Sequence, residues 1–133
     1  MIFTAKAKAL DSCLVSLVQR VGEIRGLMLV DQNGLPLVST LRSPSLEEAL
    51  GAFAGATVRH MKRAEGDFQM GPLYFMHIAG RDRQLFVTPV TDEVMLLAIV
   101  ASEATASSIA LHMLAMTREI LTVVHPVEVM ETK

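Results

Sequence analysis

The chain has one cysteine, one tyrosine and no tryptophan among its 133 residues. A lone Cys13 excludes an internal disulfide and a multi-cysteine zinc site, which fits a reducing cytoplasm. Aromatic residues make up 5% of a chain that is 51% hydrophobic. Its core must therefore come from Leu, Val, Ile, Ala and nine Met, a composition suited to packed layers rather than an aromatic ligand cage. Basic charge is not in excess: 12 Lys and Arg face 14 Asp and Glu, for a net charge of -2. Such a balance offers no general attraction to a phosphate backbone, so no nucleic-acid partner is expected. Long apolar runs are missing too. The longest, Val94 to Ala101, is far short of the ~20 residues of a membrane span. The first twenty residues lack the apolar region and cleavage site of a signal peptide. The expectation is a soluble, cytoplasmic protein with no membrane insertion, of a length suited to one domain.

Hydrophobic periodicity orders the elements. Phe3, Ala7, Leu10, Leu14, Leu17, Val18 and Val21 recur at helical spacing, ending near Gly22. Ile24 to Val30 reads as a strand, Asn33-Gly34 as a type I′ hairpin turn, and Leu35 to Leu41 as the antiparallel partner. Pro36 cannot donate to a ladder and so assigns that partner to a sheet edge. A middle helix opens either with a Ser45 to Glu48 capping box or with Pro44 in the first turn after Ser43, and runs to about Ala64. Three strands follow, in "FQMGPLYFMHIAG", "RQLFVTPV" and "EVMLLAIVA", joined by short turns at Gly80 to Asp82 and at Thr91 and Asp92. A last helix, starting near Ser102 or Thr105, carries Ile109, Met113, Met116 and Ile120 on its inner stripe. The domain is read as 1–121, with 122–133 as a C-terminal tail. Leu27 to Val30 and Met95 to Val100 are apolar on both alternating faces, so helices should cover both sides of the sheet and these strands should be inner ones.

The succession "GLMLVDQNGLPLVS", "EEALGAFAGATVRHMKRA" and "DEVMLLAIVASEA" resembles the Roadblock/dynein light chain family, particularly its bacterial members that regulate Ras-like GTPases. The likeness runs from Thr4 to about Leu121. It implies an α/β sandwich of the Roadblock, profilin-like kind: a five-stranded antiparallel sheet in order 2-1-5-4-3 with helices on both faces. That order makes the second strand an edge, where Pro36 independently places it.

The middle helix raises the sharpest question. Leu46, Leu50, Phe53, Thr57 and Met61 form one stripe, read as the face that packs on the sheet. Nearly opposite lie Gly51, Gly55 and Val58. A helical glycine costs up to ~1 kcal/mol relative to Ala, so two require a reason. One reading is close approach of a second subunit's helix; the others are tight contact with a loop of the same chain, or simple tolerance. The resemblance implies the first, a dimer through this helix and the third strand, whose edge carries Leu73, Tyr74, Phe75 and Met76. Such an apolar edge needs a partner or a cover. Arg59, Lys62 and Arg63 near the helix end could meet an acidic partner surface, or form a solvated face.

Enzyme motifs are lacking. No phosphate-binding P-loop and no G-x-S-x-G elbow occurs. "GAFAG" lies inside a helix, where its amides are already engaged. His60, His77, His112 and His125 have no paired ligand spacing, and Cys13 reads as a small buried residue rather than a nucleophile. The resemblance thus implies a non-enzymatic homodimer, without catalytic residues, cofactor or metal, that binds a Ras-like small GTPase supplying the nucleotide and Mg²⁺. A nucleotide-independent scaffold is the second reading. A small-molecule sensor, which would show a polar cavity between sheet and helices, is the third.

Overall fold

The computed structural model describes residues 1–125; the last part of the expected tail, 126–133, lies outside them. The elements are α1 (Ile2–Ala5), α2 (Ala7–Arg20), β1 (Ile24–Asp31), β2 (Pro36–Ser39), α3 (Pro44–Asp67), β3 (Met76–Ala79), β4 (Arg83–Pro89), β5 (Val94–Ala101) and α4 (Ala106–Val124). The five strands form one antiparallel sheet in the order β2-β1-β5-β4-β3. The expected fold and strand order are both present, with Pro36 opening the edge strand β2. α4 continues to Val124, past the boundary expected at 121.

Alternation along β1 divides the core in two. Leu27 and Leu29 join Leu96, Ala98, Val100 and Phe86 under α2 and α4. Met28 and Val30 face the other way, with Met95, Leu97 and Val87 beneath α3. Both inner strands are buried on both sides, and burying each large aliphatic side chain stabilises the fold by roughly 1.5–3 kcal/mol. α4 is long and apolar enough to cross a membrane by length and composition, yet it places Ile109, Met113, Met116 and Ile120 in this core.

Local chemistry departs from the expectations at the hairpin and at β3, and decides between the two openings expected for α3. The β1–β2 hairpin is not type I′: Gly34 has φ 89°, but Asn33 does not share a positive φ. The Gly34 amide donates to the Asp31 carbonyl and the Asp31 amide to that of Leu35, each at 3.0 Å. Asp31 Oδ1 accepts from the amides of Asn33 and Leu35, both at 2.9 Å. This is a three-residue loop with glycine in the left-handed position, organised by the Asp31 carboxylate. At the start of α3, Ser43 is the cap: its Oγ accepts from the Leu46 amide at 3.4 Å and Pro44 fills the first helical position. β3 covers only Met76–Ala79, because the Tyr74 carbonyl is taken by the Thr88 hydroxyl rather than by a strand ladder.

Candidate interaction face

α3 presents Thr57 and Met61 of the expected stripe to the sheet, with Leu50 packed against the same core, but not Phe53. Its buried positions are Gly51, Ala54, Gly55, Thr57, Val58 and Met61, whereas Phe53 is 40% exposed. Phe53 therefore belongs to the outer side, contrary to its placement among the sheet-packing residues. The cause is the hairpin loop of the same chain. A Cβ on Gly51 would lie 2.3 Å from the Gly34 carbonyl oxygen, and one on Gly55 would lie 3.1 Å from the Gly34 nitrogen and Cα. The helix rests on this loop through its two glycines, which rotates its small-residue side inward. The close approach that demanded glycine is thus within the chain, where Gly51 and Gly55 are buried against the hairpin loop. Val58 is also turned inward, packed with Met61 and Met95.

What α3 exposes instead is a stripe of Ala49, Ala52, Phe53, Ala56 and His60, spaced three or four residues apart. Small side chains dominate it, and Phe53 is the one large apolar group. No single signal marked this stripe in the sequence, because alanine suits either face of a helix.

The second part of the face is the β3 edge and the segment leading into it. β3 pairs with β4 alone, so its outer backbone groups have no ladder partner among the described residues. Tyr74 is 72% exposed, and Phe75 and Ile78 are exposed beside it. Leu73 and Met76 are half-buried and pack against the α3-side core. Phe68 and Met70 add further exposed apolar surface just after α3. This segment is held in shape. The amides of Met70 and Gly71 donate to the Glu65 carbonyl, and the Leu73 amide donates to the Glu65 carboxylate at 2.9 Å.

α3 packs on β1 and β2, which leaves the opposite half of the same sheet face thinly covered. Ile78, Leu85 and Ile99 stand opposite one another across β3, β4 and β5 and are only partly buried or exposed. A soluble chain exposes contiguous apolar surface of this kind chiefly at interaction sites. Of the predicted interface residues, the structure brings Leu73, Tyr74, Phe75 and Met76 to this edge and removes Gly51, Gly55 and Val58 from it.

The basic cluster is solvent-facing. Arg59, Lys62 and Arg63 are all exposed, and Arg63 lies 3.6 Å from Asp67 in an i,i+4 pair. Arg59 and Lys62 make no ion pair among the described residues. No group of three or more His, Cys, Asp or Glu that could hold a metal ion occurs among the described residues. His77 stacks on Phe86 at 4.3 Å and sits 2.6 Å from Gln84 Oε1. Cys13 is half-buried on α2, where burial and the nearby Glu119 carboxylate push its thiol pKa up, with Arg20 opposing. A raised thiol pKa is the reverse of what a nucleophile needs.

The Roadblock/LC7 domain model matches residues 10–101. The chain belongs to the Roadblock/LC7 family. Solved structures with this Roadblock fold include an MglB in a tetrameric arrangement, at TM-score 0.78 and 13% identity over 92% of each chain. MglB from Myxococcus xanthus matches at TM-score 0.74 and 17% identity, over 89% of this chain and 96% of that one. A Roadblock/LC7 domain from Streptomyces avermitilis matches at TM-score 0.74 and 19% identity, over 83% and 92%. No curated protein sequence matches. At these identities the solved structures share the fold, and the strand order β2-β1-β5-β4-β3 is its framework here.

Proposed function

We propose that this Roadblock protein is a homodimeric, non-enzymatic cytoplasmic regulator that binds a Ras-like small GTPase and modulates its nucleotide cycle. The observation that carries the dimer is the uncovered face itself. An unpaired β3 edge, the Phe53 stripe of α3 and the half-covered row Ile78, Leu85 and Ile99 lie on one side of the molecule. A two-fold axis beside β3 would pair the two edges and lay the partner's α3 over Ile78 and Leu85, the end of the row nearest the axis, leaving Ile99 on β5 outside the contact and closing the interface on itself. Phe53, Ala52 and Ala56 with Tyr74, Phe75 and Ile78 then form the contact, in place of the glycines.

Membership of the Roadblock family supports the GTPase reading, with nucleotide, Mg²⁺ and the attacking water belonging to the partner. The dimer acts by binding one switch conformation better than the other, since a ligand shifts an equilibrium only by its differential affinity. The exposed Arg59 and Lys62 at the end of α3 supply a basic contact for an acidic patch on the GTPase.

Binding to the organism's Ras-like GTPases loaded with GDP or a non-hydrolysable GTP analogue tests the proposal, with GTP turnover followed in the same samples. The expected result is a preference for one nucleotide state together with altered turnover. Equal binding in both states with unchanged turnover would replace regulation by scaffolding.

A further inference from the structure

A cleft of about 360 Å³ opens on the α3 side of the sheet, lined by Arg25, Arg83, Asp82 and Glu103 over Leu41, Leu46 and Ile99. Its most telling feature is the route by which Arg25 reaches it. Gly26 pairs with Ile99 and Ile24 with Val100, so Arg25 is an extra residue in β1, unmatched in β5. Strict alternation from Leu27 would send Arg25 to the α2 and α4 side and Ile24 to the α3 side. The bulge reverses both: Ile24 enters the core beneath α2 and α4, and Arg25 lines the cleft. Bulges commonly serve to re-aim one side chain in this way.

Arg83 arrives from the other wall. It opposes Ala101 of β5, so the two arginines stand on strands flanking β5, staggered by one to two residues, with backbones roughly 10–12 Å apart once the stagger is added to two strand spacings. Long guanidinium side chains can converge on one ligand across that gap. Neither arginine has a carboxylate partner among the described residues; Arg25 donates only to the Gly22 carbonyl. Of the two acids in the lining, Asp82 is occupied by Arg81 at 3.0 and 3.4 Å, while Glu103 makes no ion pair among the described residues. The remaining local charge is thus two arginines against one carboxylate.

The rim is fixed from behind. The buried Gln84 points its amide nitrogen at the carbonyls of Ala101, Ser102 and Ala104, at 3.0, 3.3 and 2.8 Å. That holds the turn carrying Ser102 and Glu103 in place before any ligand arrives, and preorganisation of this kind lowers the ordering cost of binding.

We infer that this cleft binds a small aliphatic carboxylate. The anionic oxygens are held by Arg25 and Arg83, since a guanidinium fork matches a carboxylate in bidentate geometry. The hydrocarbon body rests on Leu41, Leu46 and Ile99. Glu103 bars ligands of high negative charge, which separates this site from a nucleotide-phosphate site. The inference stands apart from the GTPase reading, because it concerns ligand occupancy of the isolated protein.

Isocaproate titrated into the ¹⁵N-labelled full-length protein provides the test, with its neutral amide as control. Saturable shifts are expected at the amides of Arg25, Arg83, Ser102 and Glu103, and none with the amide. Arg25→Ala and Arg83→Ala should each weaken binding by about tenfold or more, the loss of a charge-assisted contact. Arg118→Ala, on the far side of α4, should leave it unchanged. Absence of saturable shifts overturns the inference, and so does equal affinity in the Arg25→Ala/Arg83→Ala double variant or an equal loss in Arg118→Ala.

Discussion

Gly51 stands directly against Gly34, so close that a Cβ on Gly51 would be placed 2.3 Å from the Gly34 carbonyl oxygen. The two residues tie α3 to the β1–β2 loop. Because the opposing atom is backbone, no side-chain rotation can relieve the overlap, and the loop or the helix would have to move. An exposed helical Gly→Ala change normally gains up to ~1 kcal/mol. At Gly51 the sign should reverse, with Gly51→Ala destabilising the fold by about 1–3 kcal/mol as an overpacking change. Gly55→Ala, whose nearest contact is 3.1 Å, should fall between that loss and neutrality. Urea unfolding at fixed protein concentration checks both, and a Gly51→Ala protein more stable than the parent would remove the hairpin contact from this account.

The proposed dimer makes a separate demand on Phe53. Its ring is 40% exposed and is not a member of either buried core cluster. Phe53→Glu should therefore leave the fold intact while placing two like charges across the seam. The dimer should weaken: a loss of about 2 kcal/mol or more, near thirtyfold in Kd, is expected of a central aromatic. Sedimentation velocity over a dilution series reads it, alongside circular dichroism for fold. An unchanged dimer would move the interface away from α3.

Much of this architecture is legible in the sequence, and the parts that are not share a cause. Pro36 marks the β2 edge, and the two-sided apolar character of Leu27 to Val30 and Met95 to Val100 marks the inner strands; both are local facts about hydrogen bonding and burial. The face of α3 is not local. Periodicity favours Phe53 as an inward residue because it is large and apolar, but the helix is seated by what Gly51 and Gly55 allow it to approach, a loop seventeen or more residues earlier. The bulge at Arg25 leaves a faint trace, since Ile24 and Leu27 both point into one core and are three apart where a regular strand would require an even spacing.

Asp31 carries the hairpin through two amide contacts from one oxygen, Oδ1. Asp31→Ala removes the shared acceptor of both bonds from a partly exposed loop, so the expected loss is about 1 kcal/mol. Asp31→Asn keeps an oxygen in the same place and should recover most of it. Because α3 leans on Gly34, the Ala variant should also shift the amide resonances of Gly51 and Gly55, which a purely local loop effect would leave alone.

Gln84 is the most connected buried polar side chain on the α4 side. Its amide nitrogen serves three carbonyls and its Oε1 faces His77 Nε2 at 2.6 Å, an arrangement in which that ring nitrogen carries the proton. Gln84→Leu preserves bulk but removes the side-chain contacts to three carbonyls and to His77, leaving the Ala101 carbonyl with the Ala104 amide alone at 3.2 Å, at an expected cost of about 1–3 kcal/mol. Thermal unfolding reads the stability. Proton exchange of the Ser102 to Ala104 amides reads the rigidity of the turn and should quicken more than exchange in α2.

Cys13 gives a prediction in pH. Burial and the Glu119 carboxylate both favour the neutral thiol, and Arg20, itself paired to Glu119 at 2.7 Å, only partly offsets them. The folded protein therefore holds a smaller thiolate fraction than an unfolded chain at any pH near the ordinary thiol range. Since the thiolate is the reacting species, alkylation of native Cys13 by iodoacetamide should be slower than in urea, and its rate-against-pH midpoint should lie higher. Glu119→Gln removes one of the two upward influences and also frees the Arg20 guanidinium, so the native midpoint should fall toward that of the unfolded chain. A midpoint unmoved by Glu119→Gln would leave burial as the sole cause.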